Sequence, residues 1–272
     1  MVNSDDLLLG RQVPVVGHYA PELLFPIPRR EARDALGLRQ PLPFDGVDIW
    51  HAYELSWLDS DDKAQVRVGR FSIPASTPNL VESKSFKLYL NSLNNAVFDD
   101  DTAVLACIVR DVSAAAGGQV ALAVFDPDDP AIAPGQPSGE CIDSAPGRWP
   151  RSEPEAAMLR CDPARVVEEQ LYSHLLRSLC PVTGQPDWAT LWLHYRGPAL
   201  DHAALLSYIL AYREHQEFHE QCVERIFRDI QQRCQPEFLH LQAFYTRRGG
   251  LDINPFRSSG GGNPPWLRLA RQ

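Results

Sequence analysis

Two stretches of the chain decide the fold: VDIWHAYELSW (residues 47–57) and QVRVGRFSI (residues 65–73). Both predict β-strands, and the second alternates Val66 and Val68 with charged or small neighbours, the period of a half-buried strand. Residues 59–62, which separate the stretches, are Asp-Ser-Asp-Asp, a composition that favours a turn. Together the stretches predict a pair of neighbouring strands.

The order of elements after this pair occurs twice. Helices are predicted over 85–97 and 102–115, then a strand over 119–125 and a loop rich in Pro, Gly and Ser over 126–154. The second copy consists of predicted strands over 166–177 and 189–195, helices over 202–212 and 218–230, and a strand over 238–246. This order predicts an α+β fold, with antiparallel sheets and helices packed on one face.

The repeat also predicts domain boundaries. Residues 1–45 are an N-terminal extension, residues 46–161 form the first domain with its long loop 126–154, and residues 162–272 form the second domain. A chain of 272 residues is long enough for two modest domains.

Composition narrows the function. The net charge of −9 and the isoelectric point near 5.4 argue against binding nucleic acid, because recognition of a phosphate backbone needs a basic face. The six cysteines show no Cys-x-x-Cys spacing, which disfavours a zinc ribbon or a disulfide framework and favours reduced thiols. No Gly-x-Gly-x-x-Gly follows a predicted strand, so a Rossmann dinucleotide site is not expected. An enzyme that acts on a free small molecule fits best.

The first residues, Met-Val-Asn-Ser-Asp-Asp, lack the basic flank and apolar core of a signal peptide. No apolar run approaches the length of a membrane span. These observations predict a soluble, cytoplasmic protein without a membrane partner.

Cys180 is the candidate nucleophile. It lies in SLCPVTGQPDW (residues 178–188), where Asp187 follows the thiol by seven residues and two prolines and a glycine stiffen the loop between them. A thiol held beside a proton source suggests covalent catalysis. Taken alone, the segment favours a different interpretation, a buried cysteine beside a turn aspartate.

Four separated blocks change that balance: ESKSFKLY (82–89), QPDW (185–188), EFHEQCVERI (217–226) and YTRRGGLDINP (245–255). Together they resemble the signature of the NADPH-dependent 7-cyano-7-deazaguanine reductases (QueF), the nitrile reductases of queuosine biosynthesis. The resemblance covers residues from about 48 to 258 and is closest to the long, two-domain type. It departs from that type at Leu179, where the residue before the nucleophile is commonly Asn.

The resemblance implies tandem tunnelling-fold (T-fold) domains, a cytoplasmic homo-oligomer with a homodimer as its minimum, and no metal. It implies NADPH as cofactor and a deazapurine as substrate, without direct contact with nucleic acid. The implied chemistry is addition of Cys180 to the nitrile to give a thioimide, with Asp187 as proton donor and His219 as a proton relay.

The resemblance also implies binding residues. Its substrate contacts are Val81, Glu82, Ser83, His219 and Glu220. Its NADPH contacts are Ser83, Lys84, Arg248 and Gly249, with Arg247 and Arg257 as further candidates.

Chemistry supports several of these assignments but leaves alternatives. Carboxylates such as Glu82 and Glu220 accept hydrogen bonds from the N–H groups of a guanine-like edge, and a helix N-terminus at Ser83 favours the phosphates of a cofactor. Ser85 and Lys87 belong to the same segment, which is otherwise an ordinary helix cap with surface lysines.

For the second helix of the second copy, the alternative is a solvated helix end at His219 and Glu220. Its polar neighbours Glu214, His215 and Glu217 are predicted to be surface residues. Phe218, at the head of the apolar stripe, is predicted to belong to the core, although its ring could instead stack on the base.

Three other functions remain open from the residues. A nitrilase-like hydrolase would use Cys180, Glu82 and Lys84 as nucleophile, base and cation. A cyclohydrolase-type enzyme would hold zinc with Cys and His side chains, and a purine-binding protein would need no nucleophile.

Overall fold

The structure is a computed structural model that describes residues 17–272. The strands in this part of the chain are β1 (Pro26–Pro28), β2 (Asp45–Leu58), β3 (Ala64–Pro74), β4 (Asn79–Val81), β5 (Ala121–Phe125), β6 (Glu140–Cys141), β7 (Cys161–Leu179), β8 (Pro186–Leu200), β9 (Phe238–Tyr245) and β10 (Leu251–Ser258). The helices are α1 (Arg29–Ala35), α2 (Ser83–Ser92), α3 (Asp101–Ala116), α4 (His202–Ala211) and α5 (His219–Cys234). The described residues thus form an α+β fold, as the order of elements predicted.

The chain divides into two compact units. Among the described residues, the first unit takes 17–37, 48–133 and 247–252, and the second takes 38–47, 134–246 and 253–272. These units interleave along the chain, whereas the predicted domains 46–161 and 162–272 are continuous. The predicted boundaries follow the repeated order of elements and stay a prediction. Of the predicted extension 1–45, residues 1–16 lie outside the described residues.

The first unit is built around β5, β3 and β2 in that order, with α2 and α3 as its longer helices. β3 and β5 pair antiparallel, from Val68 opposite Phe125 to Ser72 opposite Ala121. Phe86 of α2 packs edge-on against Trp50 and Phe71, with ring centroids 5.3 and 5.1 Å apart. Burial of these aromatic rings stabilises the packing of α2 against the strands. The ESKSFKLY segment consists of Glu82, the N-cap residue of α2, and the first seven residues of the helix.

In the second unit the strand order is β10, β9, β8, β7 and β6. β7 and β8 form a long antiparallel hairpin, β8 pairs antiparallel with β9, and the short β6 adds to β7 in parallel. Leu193 and Tyr195 of β8 and Ile226 and Phe227 of α5 are fully buried. The apolar stripe of α5 therefore faces a core, as its helical spacing predicted.

The predicted repeat extends to a polar contact inside each unit. α2 and α4 have 10 residues each, and α3 and α5 have 16 each. Tyr89 and Tyr208 occupy the same place in the shorter helices, six residues after the first. Asp111 and Asp229 likewise both come ten residues after the first residue of the longer ones. Tyr89 donates to Asp111 at 2.8 Å and Tyr208 donates to Asp229 at 2.6 Å.

The arginine before each aspartate completes this contact. Arg110 pairs with Asp111 at 2.9 Å, and Arg228 pairs with Asp229 at 2.5 Å. The hydrogen bond from tyrosine to aspartate joins the two helices of each unit, and the preceding arginine pairs with the same aspartate in both units, which supports a duplication.

Two sequence expectations about elements are wrong. The helix predicted over 85–97 ends at Ser92, because the backbone at Ala96 and Phe98 bonds to Leu58 at the end of β2 instead of continuing the helix. β10 was not predicted, because Pro255 and its polar neighbours disfavour a strand. It nevertheless pairs with β9, with Phe256 opposite Gln242.

Replacement of the tyrosine by phenylalanine tests the repeated contact. Tyr208→Phe should lower the free energy of unfolding by about 1.5–3 kcal/mol, because it removes a hydrogen bond to a buried charge. Tyr89→Phe should cause a loss of similar size. Urea unfolding followed by circular dichroism measures both, with Tyr172→Phe, whose half-buried ring makes no such contact with a carboxylate, as the control. Full stability in both variants would contradict the assignment.

Candidate active site

A tight turn joins β7 to β8 and places Cys180. The Cys180 N–H donates to the Gln185 carbonyl at 2.9 Å, and the Gly184 N–H donates to the Cys180 carbonyl at 2.9 Å. Gly184 has φ of +67°, a conformation that glycine adopts without strain. The stiff loop predicted between thiol and acid is therefore confirmed. Cys180 is a free thiol with 6% of its surface exposed.

The register of this hairpin places Asp187. Ser178 lies directly opposite Asp187, so the two side chains share a face of the sheet. Cys180 follows Ser178 by two residues and lies one residue beyond the end of β7, at the start of the turn. Asp187 is buried. Leu179 points away from this face, and its N–H donates to the His215 carbonyl at 2.8 Å.

His219 joins Asp187 from another element. It is the first residue of α5, and its Nε2 lies 3.3 Å from Asp187 Oδ2. Its ring stacks on that of Tyr245, the last residue of β9, with centroids 3.7 Å apart and planes 6° apart. Its Nδ1 is buried and has no hydrogen-bond partner among residues 17–272. His219 is thus held in place and is not part of a solvated helix end.

The buried thiol of Cys222 lies beside Tyr245, the residue on which His219 stacks. Burial raises its pKa well above the ordinary value, although Tyr245 and Ser178 lie beside it and partly oppose that shift. Burial likewise raises the pKa of Tyr245. Both groups therefore stay protonated near neutral pH, and Cys222 is a poor nucleophile.

Sequence reasoning missed a charge network before α5. It left His215 and Glu217 as surface residues, but their side chains are only 12% and 14% exposed. His215 Nε2 lies 3.0 Å from Glu217, and Arg225 donates to Glu217 at 3.0 Å. Glu153 contacts His215 Nδ1. The spacing of Glu217 and Arg225, eight residues apart across a helix start, gave no signal of this pairing.

These contacts shift two pKa values. Burial lowers the pKa of His215, but the carboxylates of Glu217 and Glu153 outweigh it and hold the pKa above its usual value. Burial raises the pKa of Glu217, but His215 and Arg225 outweigh it and hold that pKa low. Folding therefore favours the protonated form of His215 and the ionised form of Glu217, and the network holds the chain next to Leu179 and His219.

Glu220, the second residue of α5, is buried, and it has polar or ionic contacts within the described chain. Phe218 is the N-cap residue of α5, and its N–H donates to the side chain of Gln221 at 3.2 Å. Phe218 itself is half-buried, so the expectation that it belongs to the core is wrong.

In the first unit, Glu82 caps α2. Its carboxylate accepts hydrogen bonds from the backbone N–H groups of Lys84 at 2.8 Å and Ser85 at 2.7 Å. Val81 pairs with Pro26 of β1, and the Glu82 N–H donates to the Phe25 carbonyl at 2.8 Å. Burial raises the pKa of Glu82, although these amides and the nearby lysines partly oppose the shift.

This cap changes how the start of α2 can bind a cofactor. The amides of Lys84 and Ser85 are already occupied by Glu82, so they are not the anion donors that the sequence suggested. The side chains of Ser83 and Lys84 are half-buried at the first two positions of the helix. A phosphate could contact these side chains but not the helix amides.

Gly249 lies in a tight turn of the first unit. The Arg248 N–H donates to the Leu251 carbonyl at 2.8 Å, and Gly249 and Gly250 both have positive φ, +57° and +81°. A Cβ at Gly249 would lie 3.3 Å from Lys87 Cδ. Gly249 and Lys87 line a cavity of about 130 Å³, together with Glu54 and others. The structure thus brings Gly249 next to the ESKSFKLY segment.

The two further arginine candidates, Arg247 and Arg257, lie in different environments. The Arg247 guanidinium lies over the Tyr53 ring, 4.5 Å from its centroid. Arg257 is fully buried and pairs with Glu224 at 2.7 Å. The expectation that Arg257 contacts a cofactor is therefore wrong, because its guanidinium belongs to an internal ion pair.

Across the part of the chain that the structure describes, no three His, Cys, Asp or Glu side chains are arranged to hold a metal ion. No helix of residues 17–272 is both long and apolar enough to cross a membrane.

Comparison with known proteins gives consistent matches. A family model described as nitrile reductase, 7-cyano-7-deazaguanine-reductase N-term, matches residues 16–124, and one described as QueF-like protein matches residues 186–263. The chain is 55% identical over 93% of its length to the NADPH-dependent 7-cyano-7-deazaguanine reductase of Dechloromonas aromatica, and covers 90% of that protein. It is 51% identical over 97% of its length to the protein of that name from Chromohalobacter salexigens, and covers 96% of it.

One solved structure is a remote match. The apo form of the archaeosine synthase QueF-Like aligns with 36% of this chain and 96% of that chain at 18% identity, with a TM-score of 0.31. Nothing is concluded from a likeness this low.

The His215 network predicts a pH dependence of stability. Because the folded pKa of His215 is raised, its contribution is complete below the unfolded pKa of about 6.5 and is lost as pH rises through the folded value. His215→Gln should therefore destabilise the protein most at low pH, and the difference from the unsubstituted protein should shrink as pH rises.

Urea unfolding at a series of pH values above 5 measures this difference. His240→Gln is the matched control, because burial lowers the pKa of His240 and the expected trend has the opposite sign. A destabilisation by His215→Gln that does not depend on pH would contradict the charged network.

Proposed function

The chain belongs to the family of NADPH-dependent 7-cyano-7-deazaguanine reductases, and we propose that it reduces the nitrile of 7-cyano-7-deazaguanine to 7-aminomethyl-7-deazaguanine in queuosine biosynthesis. The observation that carries the chemistry is the Asp187–His219 pair, 3.3 Å apart, with Asp187 two residues after the Gln185 carbonyl to which the Cys180 N–H donates. This arrangement combines a nucleophile with two proton-transfer groups.

Cys180 begins the reaction. Its sulfur adds to the nitrile carbon while the thiol proton passes to the nitrile nitrogen, which gives a covalent thioimide. Two molecules of NADPH, bound one after the other, each supply one hydride. After the first reduction the carbon–sulfur bond breaks, Cys180 recovers its proton, and an imine is released. Reduction of the imine gives the amine. In total the nitrile takes up two hydrides and two protons, which is a four-electron reduction.

Asp187 and His219 manage the protons. Asp187 is buried next to the hairpin turn and is the donor to the nitrogen of the substrate. His219 faces Asp187 through Nε2, and its buried Nδ1 has no partner within the described residues. That nitrogen is free to exchange a proton with the developing amine, so the two groups form a relay.

Substrate recognition falls to buried carboxylates. Glu82 and Glu220 are 1% and 4% exposed, and ionised carboxylates are acceptors that suit the N–H donors of the deazaguanine edge. Val81, Ser83 and His219 are the remaining proposed contacts.

NADPH fits side chains of the first unit. The proposed contacts are Ser83, Lys84, Arg248 and Gly249. Lys87 and Gly249 line one cavity, and the positive φ of Gly249 lets backbone approach a ligand where a Cβ would stand close to Lys87. Cationic side chains and a glycine turn of this kind suit the phosphates of the cofactor.

The assembly and fold family remain part of the proposal. We infer tandem T-fold domains and a cytoplasmic homodimer, because family members of the long type share that organisation. The six free cysteines are consistent with a reducing compartment.

The covalent step predicts a trapped adduct. The enzyme should consume two NADPH per amine formed, and without NADPH its mass should increase by that of one substrate molecule. Cys180→Ala should abolish both, because it removes the nucleophile, whereas Cys107→Ala should retain both. Coupled absorbance and mass spectrometry measure these outcomes. A carboxylate or amide product without NADPH oxidation would instead support the nitrilase-like hydrolase.

Asp187→Asn tests the proton donor. Loss of general acid–base catalysis typically lowers kcat by about 10²–10⁴-fold, and we expect a decrease in that range with a much smaller change in KM for the nitrile. Steady-state kinetics with saturating NADPH measures both constants. Asp162→Asn, at an exposed position of β7, is the control, and an Asp187→Asn variant with unchanged kcat would assign the proton to another group.

A further inference from the structure

Five side chains of the second unit alternate in a stack, which we name the arginine–tryptophan ladder. The Arg151 guanidinium lies 5.2 Å from the Trp149 ring centroid, and Arg213 lies 5.9 Å from the same ring. Arg213 also lies 5.7 Å from the Trp188 ring, and Arg177 lies 5.5 Å from it. Each distance is within the range of a cation–π contact.

The ladder adjoins the candidate active site. Trp188 directly follows Asp187 on β8, and Arg177 is its cross-strand partner on β7. The Arg177 guanidinium donates to the Arg213 carbonyl. Trp188 is 37% exposed, and by strand alternation its indole lies on the face of the hairpin opposite to that of Asp187.

The charges of the ladder are not balanced by the protein. Within residues 17–272, Arg151, Arg177 and Arg213 have no carboxylate within 4.0 Å, whereas Arg225 and Arg257 of the same unit both pair with glutamates. Glu153, two residues after Arg151, contacts His215 instead. Three unpaired guanidinium groups therefore lie close together in a chain of net charge −9. A bound anion would relieve their mutual repulsion.

Arg151 occupies a position that arginine disfavours. Its φ is +55°, in the left-handed region, where a residue with a Cβ is strained. The loop before it is fixed, because the Arg148 N–H donates to Ser207 Oγ of α4 at 3.0 Å. Backbone strain of this kind is common at functional residues. At Arg151 the group that such a function would use is the guanidinium.

We propose that the arginine–tryptophan ladder binds a phosphate group of NADPH. The proposal takes the identity of the ligand from the proposed function, in which the deazaguanine carries no phosphate and the cofactor carries three. Guanidinium groups match phosphate oxygens in paired hydrogen bonds, and an indole face can stack on adenine. The start of α2 offers less, since Glu82 occupies its amides.

Calorimetric titration of the full chain with NADPH tests the ladder. Arg151→Asn and Arg213→Gln should each raise the Kd for NADPH about tenfold or more, the effect of one lost charged hydrogen bond. The Kd for 7-cyano-7-deazaguanine should not change. Arg165→Gln, an exposed arginine of β7 outside the ladder, should change neither.

Arg151→Asn separates binding from folding, because Asn tolerates a left-handed backbone and the variant should keep its melting temperature. An unchanged Kd for NADPH in both ladder variants would overturn the proposal and leave the ladder a structural clasp. Titration with NADH identifies which phosphate the ladder binds. If the substitutions raise the Kd for NADPH but not for NADH, the ladder binds the 2′-phosphate. If they raise both Kd values equally, it binds the pyrophosphate.

The two proposals can fail separately. Nitrile reduction by the unsubstituted enzyme together with unchanged NADPH binding in the ladder variants would overturn the ladder alone. NADPH binding that depends on the ladder, without any reduction of the nitrile, would overturn the proposed function alone.

Discussion

The register of the β7–β8 hairpin is the constraint on which the candidate site depends. It places Ser178 opposite Asp187, and the hydrogen bond from Cys180 to Gln185 closes the turn just beyond that pair. A slip of one residue would send Asp187 to the other face of the sheet, away from His219. Because β8 also pairs with β9, which ends at Tyr245, the same register sets the ring on which His219 stacks.

The repeated helices of the two units share an internal contact but differ at their first residues. Each unit keeps the contact between a tyrosine and an aspartate of its two helices, but the helix starts differ. α2 begins with Ser83 and Lys84, whereas α4 begins with His202 and Ala203. α5 begins with His219 and Glu220, whereas α3 begins with Asp101 and Thr102. The contacts that hold the helices together were retained, while the ends became specialised.

Sequence alone predicted most of the regular elements, because strand alternation and the helical stripe of α5 directly report which face is buried. Cys180, Asp187, His219 and Glu82 were predicted from the tight loop and the four matching blocks. The blocks could not predict contacts set by packing between distant segments. Examples are the burial of His215 and Glu217, the capping of α2 by Glu82 and the stacking of Tyr245 on His219. β10 escaped prediction because pairing with β9 outweighs the local preference of Pro255.

The stack between His219 and Tyr245 has a consequence for the rate of the reaction. The ring of His219 is held by an aromatic face on one side and by a carboxylate at Nε2, so the folded chain already fixes its orientation. The rotational entropy of this side chain is therefore lost during folding and not when the substrate arrives. In the proposed reaction, a substrate at Cys180 would meet an imidazole whose orientation is already fixed, and reorientation of that ring would add nothing to the barrier.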